Sequence, residues 1–592
     1  MFQTFEASTS PDQGPPRLAE LRAHLRASDL TGCLVPRSDR FQGEYVAPCD
    51  ERLAWLTGFT GSAGFACILP DIAGLFVDGR YRLQVRDQTA DDFTPVDWPE
   101  IKLSDWLKDH APTDAVIAYD PWLHTIEEIE QLTEDLTGPG IRLEPVSNPI
   151  DAIWADRPAL PTAPFFAQSD TLAGETSAEK RARLAKALET DGHEAALITL
   201  PDSIAWLMNI RGADIPRNPV PHAMALLRAD GEVTLFCDPA KARQLDLDAA
   251  ISPEDRLPEV LAALAGPVLA EPRTAPAAIA TLLGDRMARG ADPCSLPKAR
   301  KSAAEIAGAI DAHDRDAVAM IRFLAWLDQT APSGGLTEID VVTALEGFRA
   351  ETNALRDISF ETICGAGPNG AIVHYRVTEN TNRPVRAGEL LLVDSGGQYV
   401  DGTTDITRTI AIGEIMDGPK AAYTRVLKGV IALSTLRWPT GVGGGHIDAF
   451  ARAALWQVGL DYGHGTGHGI GSYLCVHEGP QSLSRRSTVP LEPGMILSIE
   501  PGHYREGAYG IRLENLAVVR EAPELPDQDP IDFLHFRTLT HVPFDRRLIR
   551  PELLTGDEVA WLDSYHADVR SRIGPRLDTA TQSWLEQASA PL

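Results

Sequence analysis

Residues 52–61, RLAWLTGFTG, and residues 203–212, SIAWLMNIRG, share Ala-Trp-Leu and a glycine five residues after that leucine. Each is preceded by an apolar run, GCLVP at 32–36 and AALITLP at 195–201. Each is followed by a strand-like run that ends in aspartate, GLFVDGRYRLQ at 74–84 and TLFCDPAKARQL at 234–245. Helical patterns, RLAELRAHLRA and EKRARLAKALE, stand upstream of both. Three matches in one order imply a duplicated α/β module, so the first half of the chain must fold twice in the same way. The linker between copies is NPIDAIWADRPALPTAPFFA (148–167), whose four prolines block regular helix and sheet. A second boundary falls near 300–320, where a long amphipathic helical pattern begins. The expected division is 1–157 (module I), 158–320 (module II) and 321–592 (catalytic domain with a C-terminal extension). At 592 residues several cores are required, because single cores rarely grow past about 250–300 residues.

Neither module contains a cluster of ligand-type side chains, and His222 stands alone there. A net charge of −30 would repel nucleic acid and anionic membranes, which excludes both as expected partners. The start, MFQTFEASTSPDQGPP, lacks the basic and apolar regions of a signal peptide, and no apolar run reaches membrane-span length. Seven scattered cysteines without a CxxC pair argue for reduced thiols and a cytoplasmic address.

Chemistry is therefore expected beyond residue 320. In GELLLVDSGGQYVDGTTDITRTIAIG (388–413) an apolar run ends in Asp394, and a Thr/Ile-rich strand follows Asp405. Adjacent antiparallel strands would bring these two carboxylates together. In GMILSIEPGHYREGAYGIRLENLAVV (494–519) a second apolar run ends in Glu500, and a returning strand carries Glu514 between Leu513 and Asn515. Alternation puts Ile511, Leu513 and Asn515 on one face, with Arg512, Glu514 and Leu516 on the other. Carboxylates at the buried ends of apolar strands are costly unless a cation or hydrogen bonds offset their charge. Between the hairpins lies YGHGTGHGIGSYLCVHEGP (462–480), which sets His464, His468 and His477 among six glycines. Such glycine density means close approach or positive φ rather than helix or strand.

Buried salt bridges would explain either hairpin alone; both together with the loop point to metal. Four carboxylates and an imidazole form an oxygen-dominated donor set that suits Mn²⁺, and less selectively Co²⁺ or Zn²⁺. Five ligands are too many for one catalytic ion with open positions, but suit two ions about 3.5–4 Å apart that share bridging carboxylates. Such a pair presents hydroxide at neutral pH, which is hydrolytic machinery. DGTTDITRTIAI lacks the last glutamate of an EF-hand, TGVGGGH lacks the Lys-Ser/Thr of a phosphate loop, and HEGP is not HExxH.

Assembled in this way, the chain resembles the Xaa-Pro aminopeptidases of the pita-bread metallopeptidase family, in their three-domain cytosolic form. The resemblance covers nearly the whole chain and rests on YVAPCDERLAWLTGFTGSAG (45–64), DGRY (78–81), GPNGAIVHYRVTENTNR (367–383), DGTTDITRT, HGTGHGIG, VHEGP and GIRLEN. It implies an α/β (α+β) fold, with two creatinase/prolidase-type N-terminal modules ahead of a pita-bread domain. It places the metal ligands at Asp394, Asp405, His468, Glu500 and Glu514, with Asp405 and Glu514 bridging. His374, His464 and His477 would handle substrate, and Arg512 and Tyr504 would lie around the metals. His503 stands where the family often has an aromatic residue. A homodimer is also implied. The expected reaction is release of the first residue from peptides with proline second, by attack of a hydroxide that bridges two metal ions, with Glu500 as proton acceptor. The two modules would restrict the cleft to unfolded peptide ends. The rivals are prolidase, which shares the metal set but usually carries one N-terminal module, and a non-catalytic pita-bread binding module, in which ligand positions would be lost.

Overall fold

The computed structural model describes residues 1–138 and 140–592 and divides into two compact units. One comprises Ser8–Asp170 and Glu175–Ser295; the other comprises Met1–Ala7, Thr171–Gly174 and Leu296–Leu592.

The first unit contains the repeat as two six-stranded sheets of one topology. Strands β1 (Gly32–Pro36), β2 (Phe65–Ile68), β3 (Ala73–Val77), β4 (Thr94–Asp97), β5 (Val116–Tyr119) and β6 (Arg142–Pro145) lie in the order β4-β3-β2-β1-β5-β6. Strands β7 (Ala195–Ile198), β8 (Met224–Arg228), β9 (Val233–Phe236), β10 (Ala250–Ser252), β11 (Val268–Ala270) and β12 (Met287–Arg289) lie in the order β10-β9-β8-β7-β11-β12. Parallel and antiparallel pairings correspond throughout. The GCLVP and AGLFV runs are buried along their whole length, as central strands covered on both faces must be. The Ala-Trp-Leu segments form helices Arg52–Thr57 and Pro201–Met208. The first stops at Gly58 (φ 86°) and the second at Asn209 (φ 49°), the two residue types that most readily close a helix in the left-handed region. In the linker the prolines do not prevent a short helix, Pro149–Ile153, because a proline at the first helical position has no intrahelical N–H bond to lose. His222 is buried, stacked on Phe41 and 3.5 Å from Asp39 Oδ2.

The second unit opens on helix Ala303–Thr330, started by a Ser302–Glu305 capping box; the helix runs unbroken through residue 320. Strands β13 (Ile363–Ala366), β14 (Glu389–Ser395) and β15 (Ile406–Ile412) form an antiparallel sheet in the order β13-β14-β15. A six-stranded sheet follows, in which β16 (Gly467–Gly469), β17 (Ile496–Ile499) and β18 (Asn515–Glu521) are neighbours. Leu513 and Glu514 lie outside regular strand: strand Tyr509–Arg512 ends, and β18 begins at Asn515. The single alternating strand expected over 511–516 is thus two strands joined by a link that carries Glu514. Helix Gly556–Ile573 closes the domain behind a Thr555–Glu558 capping box.

Candidate metal centre

Asp394 sits one residue from the end of β14, opposite Thr407 of β15, and Asp405 directly precedes β15. Across the site, β17 pairs with β18 through Ile499 and Asn515. Glu500 therefore follows the end of one strand as Glu514 precedes the start of the other. The four acids stand at the ends of largely buried apolar strands, where backbone pairing holds those ends rigidly.

The ligand atoms form three overlapping groups, each within 4.8 Å: Asp394, Asp405 and Glu514; His468, Glu500 and Glu514; and Asp405, His468 and His477. His468 Nδ1 lies 3.1 Å from the carbonyl of Gly469. A carbonyl only accepts, so in the neutral imidazole Nδ1 carries the hydrogen and the Nε2 lone pair faces Asp405 Oδ2 at 3.5 Å and Glu500 Oε1 at 3.4 Å. A lone pair aimed at carboxylate oxygens is repulsive without a cation between them. Asp394 Oδ1, Asp405 Oδ1 and Glu514 Oε1 are buried without a hydrogen bond. Four carboxylates against one guanidinium, Arg512, leave three negative charges, which two divalent ions would offset. These donors fit a dinuclear metal site.

Electrostatics agree. Burial, and then neighbouring carboxylates, hold Asp405 and Glu514 well above the usual carboxylate range. Burial pushes Glu500 to about 7 against the pull of Arg512, with Asp394 adding to the rise. Arg512 donates to Asp394 Oδ2 at 2.5 Å, to Tyr504 Oη at 2.6 Å and to the carbonyl of Val373 at 3.2 Å. The last contact draws in the turn that carries half-buried His374. His464 Nδ1 faces the Gly465 carbonyl at 2.7 Å, so neutral His464 accepts at Nε2 from Tyr504 Oη, 2.9 Å away. The His477 ring packs edge-on against His468, with centroids 4.2 Å apart. Buried His503 is hydrogen-bonded to the backbone of Asp461, where the histidine loop begins. The ten candidate ligand, substrate and surrounding residues of the sequence all belong to this compact unit, and the structure brings Asp394, Asp405, His468, His477, Glu500 and Glu514 into three overlapping ligand groups.

The glycines of the loop serve approach. A Cβ at Gly467 would strike the carbonyl of Ser498, and one at Gly469 that of Glu478. Several supporting residues carried no sequence signal. Thr407 Oγ1 donates to Glu514 Oε2 at 2.7 Å. Ser498 Oγ accepts from the His468 amide at 3.0 Å and donates to Glu500 Oε1 at 3.1 Å. Arg408 donates to the carbonyl of Glu514 at 2.5 Å and to Asn515 Oδ1 at 2.8 Å. Only Ser498, on β17 two residues before Glu500 at that strand's end, follows a readable rule.

Residues 308–521 match the model of metallopeptidase family M24, and 532–592 match the C-terminal region of that peptidase. Residues 17–153 and 156–305 each match a creatinase/prolidase N-terminal domain. The chain belongs to the M24 metallopeptidases, within their Xaa-Pro aminopeptidase group. It is 38% identical to a probable Xaa-Pro aminopeptidase P of Laccaria bicolor over 97% of this chain and 93% of that protein. The solved X-prolyl aminopeptidase of Caenorhabditis elegans, described as a cytosolic enzyme with a di-nuclear active site, superposes with a TM-score of 0.93. The match is at 32% identity and spans 98% of this chain and 99% of that one. The dipeptidase PepE of Mycobacterium ulcerans, at 26% identity and a TM-score of 0.51, covers 64% of this chain and 98% of its own. Dipeptidase architecture thus leaves a third of this chain unmatched, and the aminopeptidase reading fits better than prolidase.

Proposed function

We propose that the chain releases the N-terminal residue from peptides whose second residue is proline. The observation that carries this reading is the convergence of four carboxylates, three of which keep a buried oxygen without a hydrogen bond, and the His468 lone pair beside a second histidine, His477. In this reading Asp394, Asp405, His468, Glu500 and Glu514 would hold two divalent ions. The ions, when bound, supply an activated water and polarise the scissile carbonyl. The chain's own residues do the rest. Glu500, steadied by Ser498, accepts a proton at its carboxylate. Arg512 and Tyr504 fix Asp394 and the neutral tautomer of His464. His374 and His477 orient the carbonyl and the proline end, and one of them protonates the departing nitrogen. Proline is selected because its imide nitrogen has no N–H and its φ is held near about −65°, so a pocket shaped to the ring succeeds where one that relies on that N–H fails.

The oxygen-rich donor set favours Mn²⁺ over Zn²⁺ or Co²⁺. A cytoplasmic address is supported by the scatter of seven cysteines along the sequence without a CxxC pair. Among the described residues, no helix is long and apolar enough to cross a membrane. A homodimer is supported by Phe450, Trp456 and Val458, which remain exposed on and just after helix Gly444–Trp456.

Mass spectrometry of Arg-Pro-Pro-Gly-Phe, with enzyme chelated and then resupplied with Mn²⁺, tests the reading. Loss of the first arginine alone, restored by metal, is expected. Cleavage of an Xaa-Pro dipeptide but not the pentapeptide would mean prolidase. No cleavage of either with both metal positions filled would leave a binding module.

A further inference from the structure

Immediately after His477 comes Glu478, a residue that the proposed reaction does not use. Its carboxylate is buried with two lysines. Lys298 Nζ donates to Oε2 at 2.7 Å, and Lys301 Nζ lies 3.8 Å from the same oxygen. All three side chains are at most 2% exposed. Lys301 Nζ also donates to the carbonyl of Lys298 at 3.0 Å, so the lysines are braced against each other. The second carboxylate oxygen, Oε1, accepts the backbone N–H of Cys475 at 3.1 Å. The Gly471 amide donates to the Cys475 carbonyl at 2.9 Å, and a Cβ at Gly471 would collide with Glu478 Oε1. The segment from Gly471 to Glu478 is therefore wound around one carboxylate, and His477 is the last residue before the anchor. A buried ion pair of this kind is weak support for stability, since apolar residues of similar volume often do as well. What it does provide is a single geometry.

We propose that Glu478, gripped by Lys298 and Lys301, is a positioning residue: it sets the His477 imidazole against His468 and the carboxylate cluster. The inference rests on the reading of His477 as a substrate-facing group. Glu478→Gln makes a direct test. The amide must turn its NH₂ toward either Lys298 Nζ or the Cys475 N–H, so one donor–acceptor contact becomes donor against donor. Lys298→Met removes the ammonium at similar side-chain length and serves as the second variant.

Steady-state kinetics on Arg-Pro-Pro-Gly-Phe are compared in wild-type, E478Q, H477A and the double variant, with metal content measured by mass spectrometry. Displacing a catalytic group by about 1 Å costs on the order of 100-fold. E478Q is therefore expected to lower kcat by about 10- to 100-fold, with KM little changed and metal content equal to wild-type. In the H477A background the same change should cost less than about twofold, because a residue that acts through His477 has nothing left to position. An equal loss in both backgrounds, or E478Q activity close to wild-type, would overturn the inference while H477A remains slow. An H477A enzyme as fast as wild-type would instead overturn the reading of His477, and this inference with it. Failure of both E478Q and K298M to fold with metal bound would also overturn it, because the cluster would then hold up the domain and not the loop.

Discussion

At the scale of single residues, the centre is assembled from groups that repel one another. Buried Asp394, Asp405 and Glu514 and half-buried Glu500 cluster together, and Arg512 pairs only with Asp394 among them. For the chain without metal, a proton or an amide at Asp405 should be an improvement. Asp405→Asn is accordingly predicted to abolish turnover and yet to raise the melting temperature of the chelated protein near about pH 8, because it makes permanent the neutral form that burial favours. Calorimetry in chelator checks this, and a lower melting temperature than chelated wild-type would refute it. These carboxylates were legible in the sequence because Asp394 and Glu500 end apolar runs, Asp405 opens a Thr/Ile-rich strand and Glu514 interrupts an apolar strand pattern, where an acid has no structural excuse. Thr407, Arg408 and Lys298 were not legible, since each acts on a residue close in space and far along the chain.

At the scale of elements, the histidine loop raises the question of how a glycine-rich segment holds three imidazoles still. Helix Gly444–Trp456 answers it through Arg452. The guanidinium pairs with both oxygens of Asp448, at 2.7 and 3.1 Å. It also donates to Asp461 Oδ1, to the carbonyl of Tyr462 at 2.9 Å and to that of His464 at 2.7 Å, and it lies 3.8 Å over the Tyr462 ring. Asp448 Oδ1 then accepts from Thr466 Oγ1 at 2.5 Å. Glycine permits the close approach, and one planar fork removes the freedom that glycine brings. An ammonium cannot span these acceptors. Arg452→Lys is predicted to cut kcat on the order of tenfold and to lower the melting temperature by several degrees, since an ammonium keeps the charge but leaves some of these buried acceptors unsatisfied, at about 1–3 kcal/mol each. Unchanged kinetics would show that Arg452 supports only the helix. The second hairpin teaches a related lesson. Alternation over 511–516 predicted one strand, but the link at Leu513–Glu514 lets the Glu514 amide reach the carbonyl of Thr407 in the neighbouring sheet. That non-local bond left no periodic trace.

At the scale of the molecule, metal and pH should act on stability together. In the chelated protein Glu500 titrates at about 7 against an ordinary value of 4.5, raised first by burial. The folded state then holds its proton more tightly than the unfolded state. This contribution is complete below the unfolded value and is lost as pH rises through about 7. Metal binding needs the ionised ligands, so its stabilisation grows over the same window. The melting-temperature gap between Mn²⁺-loaded and chelated protein is predicted to widen from about pH 5 to about pH 8; a constant or narrowing gap would count against these carboxylates as the ligands. The sequence by itself determined the duplicated module, the third region and the five ligand-type residues. Repeats, apolar runs and the acids that end them are local patterns, and strand chemistry leaves few ways to pair them. Only the tertiary structure decided which lone pairs face one another, which tautomers His464 and His468 adopt, and which buried charges hold the loop. Those depend on distances between residues up to 180 positions apart, such as Lys298 and Glu478, and side-chain packing sets such distances without regard to chain order.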